Sequence, residues 1–337
     1  MLKQIERTLR SHPFVTPKFL QNAHIQTLFP RLMPYFKTQL PKAERRHIKL
    51  PDGSQLAANC WWQKDKEKYT TVVIIGGIEG YRNMRISRSV ISTCNKAYYL
   101  GYNVIHLKQR AEGDTVSLTK SIGYSPYDLP IVFDQLKAWN LKKVFVIGFS
   151  AGGYNLLFAL GELGKKAKEY VLGAIAISAP TNVLETWQHV EKNAFYDRVL
   201  LDFYKHLIKR RAKIDPPGTW DIKELNKIKT KRELGQKYMY LWNFGKKIST
   251  LEEFDKKSDA SLMIPKIKIP TLIISAYDDS LSPVVPFTKV SNPSIITLLT
   301  KHGGHGGFFS LKPKYGDLDG HWAQNRAMEF IRLLENQ

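Results

Sequence analysis

The sequence predicts an α/β protein: a mostly parallel central sheet flanked by helices, with a helical cap inserted in its second half. Three observations carry this. Short β-branched and apolar runs alternate with longer stretches of helical spacing. The runs lack the in–out alternation of a half-solvated strand, as expected where both faces of a parallel sheet are covered. One of them, Lys143–Ile147, turns through Gly148-Phe149-Ser150-Ala151-Gly152 straight into a segment of helical periodicity.

In chain order, residues 1–40 are punctuated by Pro13, Pro17, Pro30 and Pro34 and are expected to wrap the outside as an irregular leader. Arg45–Leu50 and Gln55–Trp62 flank Pro51-Asp52-Gly53, a turn signal, and read as a hairpin at a sheet edge. Strands follow at Thr71–Ile75, Asn103–Leu107, Val144–Ile147 and Leu172–Ser178, with helices at Ile86–Leu100, Pro126–Asn140 and Ala151–Leu163 between them. The rhythm breaks at Ala179-Pro180. Residues 181–265 are helix-like, charged and aromatic, and read as an insertion, because the sheet is incomplete on either side of them. Strands resume at Thr271–Ala276 and Ser294–Thr300, and a helix runs from Trp322 to Leu334. The whole of 1–337 is read as one domain.

The composition is ordinary for a globular chain of 337 residues, with 43% hydrophobic and 24% charged. No apolar run reaches the roughly 18 residues of a spanning helix, and residues 1–10 carry no apolar signal core. Two cysteines, Cys60 and Cys94, make neither a disulfide framework nor a zinc site. The expectation is a cytoplasmic protein. Its net charge is +21, and residues 1–50 hold ten Lys/Arg against two acids. The excess reads as a solvated surface or as attraction to the anionic inner face of a membrane. No nucleic-acid motif accompanies it. Nothing in the sequence sets an oligomeric state.

A G-x-S-x-G between a buried strand and a helix is the context of a nucleophile elbow. Glycine at 148 and 152 removes side chains that would collide in so tight a turn, which leaves Ser150 pointing outward. A serine hydroxyl needs a base to take its proton, and an imidazole needs a carboxylate to orient it. Reacting groups of an open parallel sheet lie beyond the carboxyl ends of its strands. After Thr271–Ala276 comes Tyr277-Asp278-Asp279-Ser280-Leu281-Ser282-Pro283; after Ser294–Thr300 comes Lys301-His302-Gly303-Gly304-His305-Gly306-Gly307. The order Ser, acid, His is that of the α/β-hydrolases. His305 is the expected base, since its glycine neighbours let the backbone turn; His302, at the strand end, is expected to face outward. Asp279 is the expected acid and Asp278 a brace for the loop, with capping of the helix near Pro283 as the other use of either aspartate. The oxyanion donors are expected to be the N–H groups of Ala151 and Ile78, the latter from Gly76-Gly77-Ile78-Glu79-Gly80 after an early strand. No Gly-Lys-Ser/Thr follows that loop, so it is not a phosphate loop.

Asn22-Ala23-His24-Ile25-Gln26-Thr27-Leu28-Phe29-Pro30 resembles the N-terminal signature of the YheT-like family of α/β-hydrolases, whose eukaryotic relatives are membrane-associated abhydrolase-domain lipases and esterases. Leu50–Gly53, Gly77–Gly80, Asp278-Asp279 and Gly303–Phe308 resemble that family's hairpin turn, oxyanion loop, acid and histidine loops. The resemblance spans about residues 20–310 and implies carboxylic-ester hydrolysis, often on acyl-lipid-like substrates. His24 and Gln26 are read as a bridge tying the leader to the domain.

The insertion holds Trp187, Phe195, Tyr196, Phe203, Tyr204, Trp220, Tyr238, Tyr240, Trp242 and Phe244. An aromatic-rich lid above a serine favours an apolar acyl or aromatic substrate over a sugar or nucleotide; together with the resemblance it implies a short- to medium-chain acyl or lipid-like ester. His189 and His206 lack metal-ligand spacing, so neither metal nor organic cofactor is expected. Acyl transfer to an alcohol or lipid by the same residues, and an idle binding protein on the same fold, are the competing readings.

Overall fold

The computed structural model describes residues 1–77, 87–110, 112, 115–118, 125–238 and 250–337. Eight strands form one sheet: β1 (Glu44–Lys49), β2 (Gln55–Trp61), β3 (Thr71–Ile75), β4 (Asn103–Lys108), β5 (Val144–Phe149), β6 (Gly173–Ile177), β7 (Thr271–Ala276) and β8 (Ile295–Thr300). Their order is β1-β2-β4-β3-β5-β6-β7-β8. Strands β3 to β8 are mutually parallel, and the hairpin β1–β2 adds antiparallel to β4, at the edge the Pro51-Asp52-Gly53 turn predicts. All six parallel strands therefore end on the same side of the sheet.

The parallel strands are mostly apolar because their two faces feed two separate cores. Val73, Ile75, Val144 and Val146 pack on one side, against α4 (Asp128–Ala138) and α5 (Ala151–Leu163). Val72, Ile74, Phe145 and Ile147 pack on the other, against α1 (Leu2–Arg10), α3 (Arg88–Tyr99) and α12 (Trp322–Glu335). Full burial of each such side chain contributes about 1.5–3 kcal/mol.

The leader departs from expectation. It contains α1 and a short second helix, α2 (Ala23–Leu28). Ile5 and Leu9 of α1 are fully buried in the core beside α12, and burial on an existing helix stabilises a segment that its prolines disguise. Between β6 and β7 the chain forms α6 (Val183–Glu191), α7 (Ala194–Arg211), α8 (Ile222–Lys227), α9 (Lys231–Tyr238) and α10 (Leu251–Ser258); α11 (Val285–Thr288) follows β7. A third core joins this helical segment to Ala151, Tyr154 and Phe158 of α5. The Ala260 N–H donates to the Thr181 carbonyl at 2.7 Å, so the two ends of the segment meet.

Candidate active site

Ser150 lies between β5 and α5 with φ +49° and ψ −120°, left-handed for a residue bearing a β-carbon. Such backbone costs on the order of 1–3 kcal/mol and persists only where the surroundings hold it. They do so through the Ser150 N–H, which donates to Ile177 O of β6 at 2.9 Å, and the Ser150 carbonyl, which accepts from Tyr154 N at 3.0 Å. The crowding expected at 152 is present: a β-carbon there would lie 2.3 Å from Gly76 O.

The three groups expected to act together meet at the carboxyl edge of the sheet. The Ser150 Oγ is 2.9 Å from His305 Nε2. His305 Nδ1 is 3.0 Å from both Asp279 Oδ1 and Oδ2. This fits the tautomer that carries its proton on Nδ1 and leaves Nε2 to accept from the serine. The Asp279 side chain is wholly buried, and its Oδ1 also accepts from the Leu281 and Ser282 N–H groups at 2.9 Å. The same carboxylate thus orients the imidazole and holds the turn after β7, while the short helix near Pro283 has Val284 at its N-cap and no side-chain cap, so neither aspartate caps it.

Asp278 stands apart from that line. Its Oδ1 accepts from Gly304 N at 2.9 Å and its Oδ2 lies 3.6 Å from His302 Nδ1. Burial pushes its carboxyl above the usual carboxylate range. His302 accordingly faces Asp278, away from Ser150. Ala151 occupies the first position of α5, where a backbone N–H has no intrahelical acceptor. Ile78, the other expected oxyanion donor, lies outside the described residues. The loop leading to it is anchored from behind: Gln109 Nε2 donates to the carbonyls of Gly76 and Gly77 at 3.0 and 3.3 Å, and Asn155 of α5 donates to Gln109 Oε1.

A cleft of about 440 Å³ opens over Ser150 and His305. The aromatic residues of the helical segment line the cleft, form that segment's own core or, as Phe203 does, serve both. Phe195, Tyr196 and Phe203 line the cleft, with Leu28, Val199 and Leu200. Trp187, Tyr204, Trp220 and Tyr238 are core of that segment; Tyr240, Trp242 and Phe244 lie outside the described residues. His24 ties the leader to the helical segment, with Nδ1 3.0 Å from Tyr196 Oη. Gln26 bridges to the histidine loop instead, with its Oε1 accepting from Phe309 N at 2.8 Å. Among the described residues no cluster of three His, Cys, Asp or Glu side chains could hold a metal. His189 has a role that the sequence did not reveal: its Nε2 is 3.0 Å from the Asp279 carbonyl oxygen.

A mostly parallel eight-stranded sheet with a strained serine after β5 defines the chain as an α/β-hydrolase. No family model matches it. Over most of its length, however, it matches the YheT-like group of abhydrolase-domain proteins, as its motifs imply. It is 25% identical to YheT of Escherichia coli K12, over 95% of this chain and 93% of that one. It is 22% identical to the human monoacylglycerol lipase ABHD2, over 89% of this chain and 76% of that one. Among solved structures, an esterase of Pyrococcus furiosus, Pf2001, shares the fold with a TM-score of 0.55 at 18% identity, over 89% of this chain and 96% of that one.

Proposed function

We propose that the chain is a serine carboxylesterase of lipase-like type, acting on short- to medium-chain or lipid-like acyl esters through a covalent acyl-enzyme. The observation that carries this reading is the continuous hydrogen-bonded line from Ser150 through His305 to Asp279 at the floor of an apolar cleft. Ser150 Oγ attacks the ester carbonyl carbon while His305 Nε2 takes its proton. Asp279 holds the ring and stabilises the imidazolium. The oxyanion of the tetrahedral intermediate accepts from the N–H groups of Ala151 and Ile78, the latter assigned from sequence alone. His305 returns the proton to the departing alcohol. Water, deprotonated by the same nitrogen, then releases the acid and restores the serine.

The cleft is of ordinary size for a small-molecule site, and its aliphatic and aromatic walls suit an acyl chain. The named activity of the human relative, a monoacylglycerol lipase, is consistent with such a substrate. We read residues 181–265 as a cap inserted into a single domain, which the Ala260–Thr181 hydrogen bond supports. A peripheral contact with an anionic lipid surface belongs to the same reading. Exposed Ile25, Leu28 and Leu32 follow one another at helical spacing, and exposed Phe195 and Val199 stand at the mouth of the cleft. The net charge of +21 favours an anionic bilayer.

Ser150→Ala is expected to lower turnover of p-nitrophenyl esters by about 10³-fold or more and to abolish labelling by a fluorophosphonate, with the fold intact by circular dichroism. Unchanged turnover in that variant rejects the reading. Product analysis with an added alcohol separates hydrolysis from acyl transfer.

A further inference from the structure

We propose that Thr27, Ser178 and Asp278 form a cradle that holds the backbone of the histidine loop and so sets the His305 ring between Ser150 and Asp279. This rests on the hydrolase reading, because it gives these residues a positioning role for the same imidazole. Three consecutive amide groups are involved, and each is held by a side chain from a different part of the chain. The Gly304 N–H donates to Asp278 Oδ1 at 2.9 Å, just beyond β7. The His305 N–H donates to Thr27 Oγ1 at 3.0 Å, in α2 of the leader. The Gly306 N–H donates to Ser178 Oγ at 2.9 Å, just beyond β6.

A loop has no ladder of its own to fix its peptide planes. Here the planes on both sides of His305 are fixed from outside, which leaves two side-chain torsions to aim the ring. The acceptors are themselves directed. Thr27 Oγ1 spends its own proton on the Ala23 carbonyl at 2.7 Å, so it meets His305 N, and Ser280 Oγ at 3.3 Å, as an acceptor. Ser178 is buried with φ +49°, a conformation that persists in a β-carbon-bearing residue only where contacts enforce it.

Helix α2 is pressed onto the loop closely enough to dictate its sequence. A β-carbon at 304 would stand 2.5 Å from Ala23 O, and one at 307 would stand 1.9 Å from Gln26 O. The glycines beside His305 therefore answer to the leader helix as well as to the turn. Gln26 locks the contact: it is buried, its Oε1 accepts from Phe309 N at 2.8 Å, and its Nε2 donates to Phe309 O at 3.0 Å and Leu20 O at 2.9 Å. Asn22 starts the helix by accepting from the N–H groups of His24 and Ile25. The leader motif thus works as a part of the histidine's support.

The test compares Thr27→Val with Thr27→Ser, and Asp278→Ala with Asp278→Asn, in the full chain. In each pair the first variant removes the acceptor and the second keeps one. Burst kinetics with a p-nitrophenyl ester give the acylation rate, KM and kcat, and thermal melts report the fold. Thr27→Val and Asp278→Ala are expected to slow acylation by about 10- to 100-fold with KM within about twofold, as a misplaced general base should. Thr27→Ser and Asp278→Asn are expected to stay within about threefold of the parent, and Tm within about 4 °C of it for all four. Full acylation by Thr27→Val overturns the cradle, and so does a serine variant that falls as far as the valine one. A loss that tracks Tm, or one confined to KM, overturns it equally. These failures are distinct from failure of the hydrolase reading, which shows in Ser150→Ala alone.

Discussion

At Gly152 a β-carbon would stand 2.3 Å from Gly76 O and 2.6 Å from Ile75 O, both backbone atoms of the strand and loop that face the nucleophile. Neither can retreat without moving the elbow itself. Gly152→Ala is therefore expected to destabilise the protein by more than about 3 kcal/mol and to remove its activity. Gly101 makes a useful contrast: its φ is +90° but nothing lies within 4 Å of a β-carbon there, so Gly101→Ala is expected to cost only about 1–2 kcal/mol. Urea unfolding of both variants checks the difference, and equal midpoints would mean that the elbow is looser than its contacts imply. That Ser150, Asp279 and His305 would lie together was legible from their order at the carboxyl ends of three parallel strands, which the topology brings to one edge. Thr27 was quoted for its motif, yet its work could not be read. A hydroxyl that accepts from a backbone N–H 278 residues away leaves no local pattern. Ser178 had a readable signal, its place directly after β6, but no partner in the sequence to pair it with.

Between elements, the helical segment is fixed to the body of the protein by a buried ion pair at the end of α7. Arg211 and Asp215 are both fully buried, and their side chains hydrogen-bond to each other. Asp215 also accepts from Trp220 Nε1 and from Ser117 N, each at 2.8 Å, while Arg211 donates to Thr115 O at 2.7 Å. Removing one member leaves the other charge buried without its partner. Asp215→Ala is expected to cost about 3–5 kcal/mol in a denaturant melt, against about 1 kcal/mol or less for loss of the exposed Arg198–Asp202 pair. A Asp215→Ala variant within about 1 kcal/mol of the parent contradicts that ranking. The strands were the most legible elements, since β3, β5 and β7 are apolar on both faces and bounded by turn residues. Helix α1 had a readable signal in Leu2, Ile5 and Leu9 at helical spacing, which the prolines from Pro13 onward obscured. The helical segment was legible as helix-like and aromatic, but which rings line the cleft and which form its own core depends on packing that no periodicity records.

For the molecule as a whole, the bilayer contact proposed above draws on the exposed apolar residues near the cleft and on the +21 charge. Among the described residues no helix is long and apolar enough to cross a membrane, so contact with a bilayer would be made by a surface. Co-sedimentation is expected with phosphatidylglycerol vesicles at low salt and to weaken toward about 0.5 M salt, with little binding to phosphatidylcholine. Leu32→Glu, at a position 72% exposed, is expected to reduce vesicle binding about tenfold while leaving turnover of a water-soluble ester unchanged. Equal binding to both vesicle types removes the electrostatic part of this argument. The Gln26–Phe309 clamp has a consequence for biosynthesis. It closes a span of 283 residues, and contacts of that separation are among the last to form. During translation Ser150 leaves the ribosome 155 residues ahead of His305, its base in the proposed mechanism. A nascent chain can thus complete its elbow strand and still have no means of deprotonating the serine. On the proposed mechanism acyl transfer waits until His305 has emerged and the leader helix has closed on its loop.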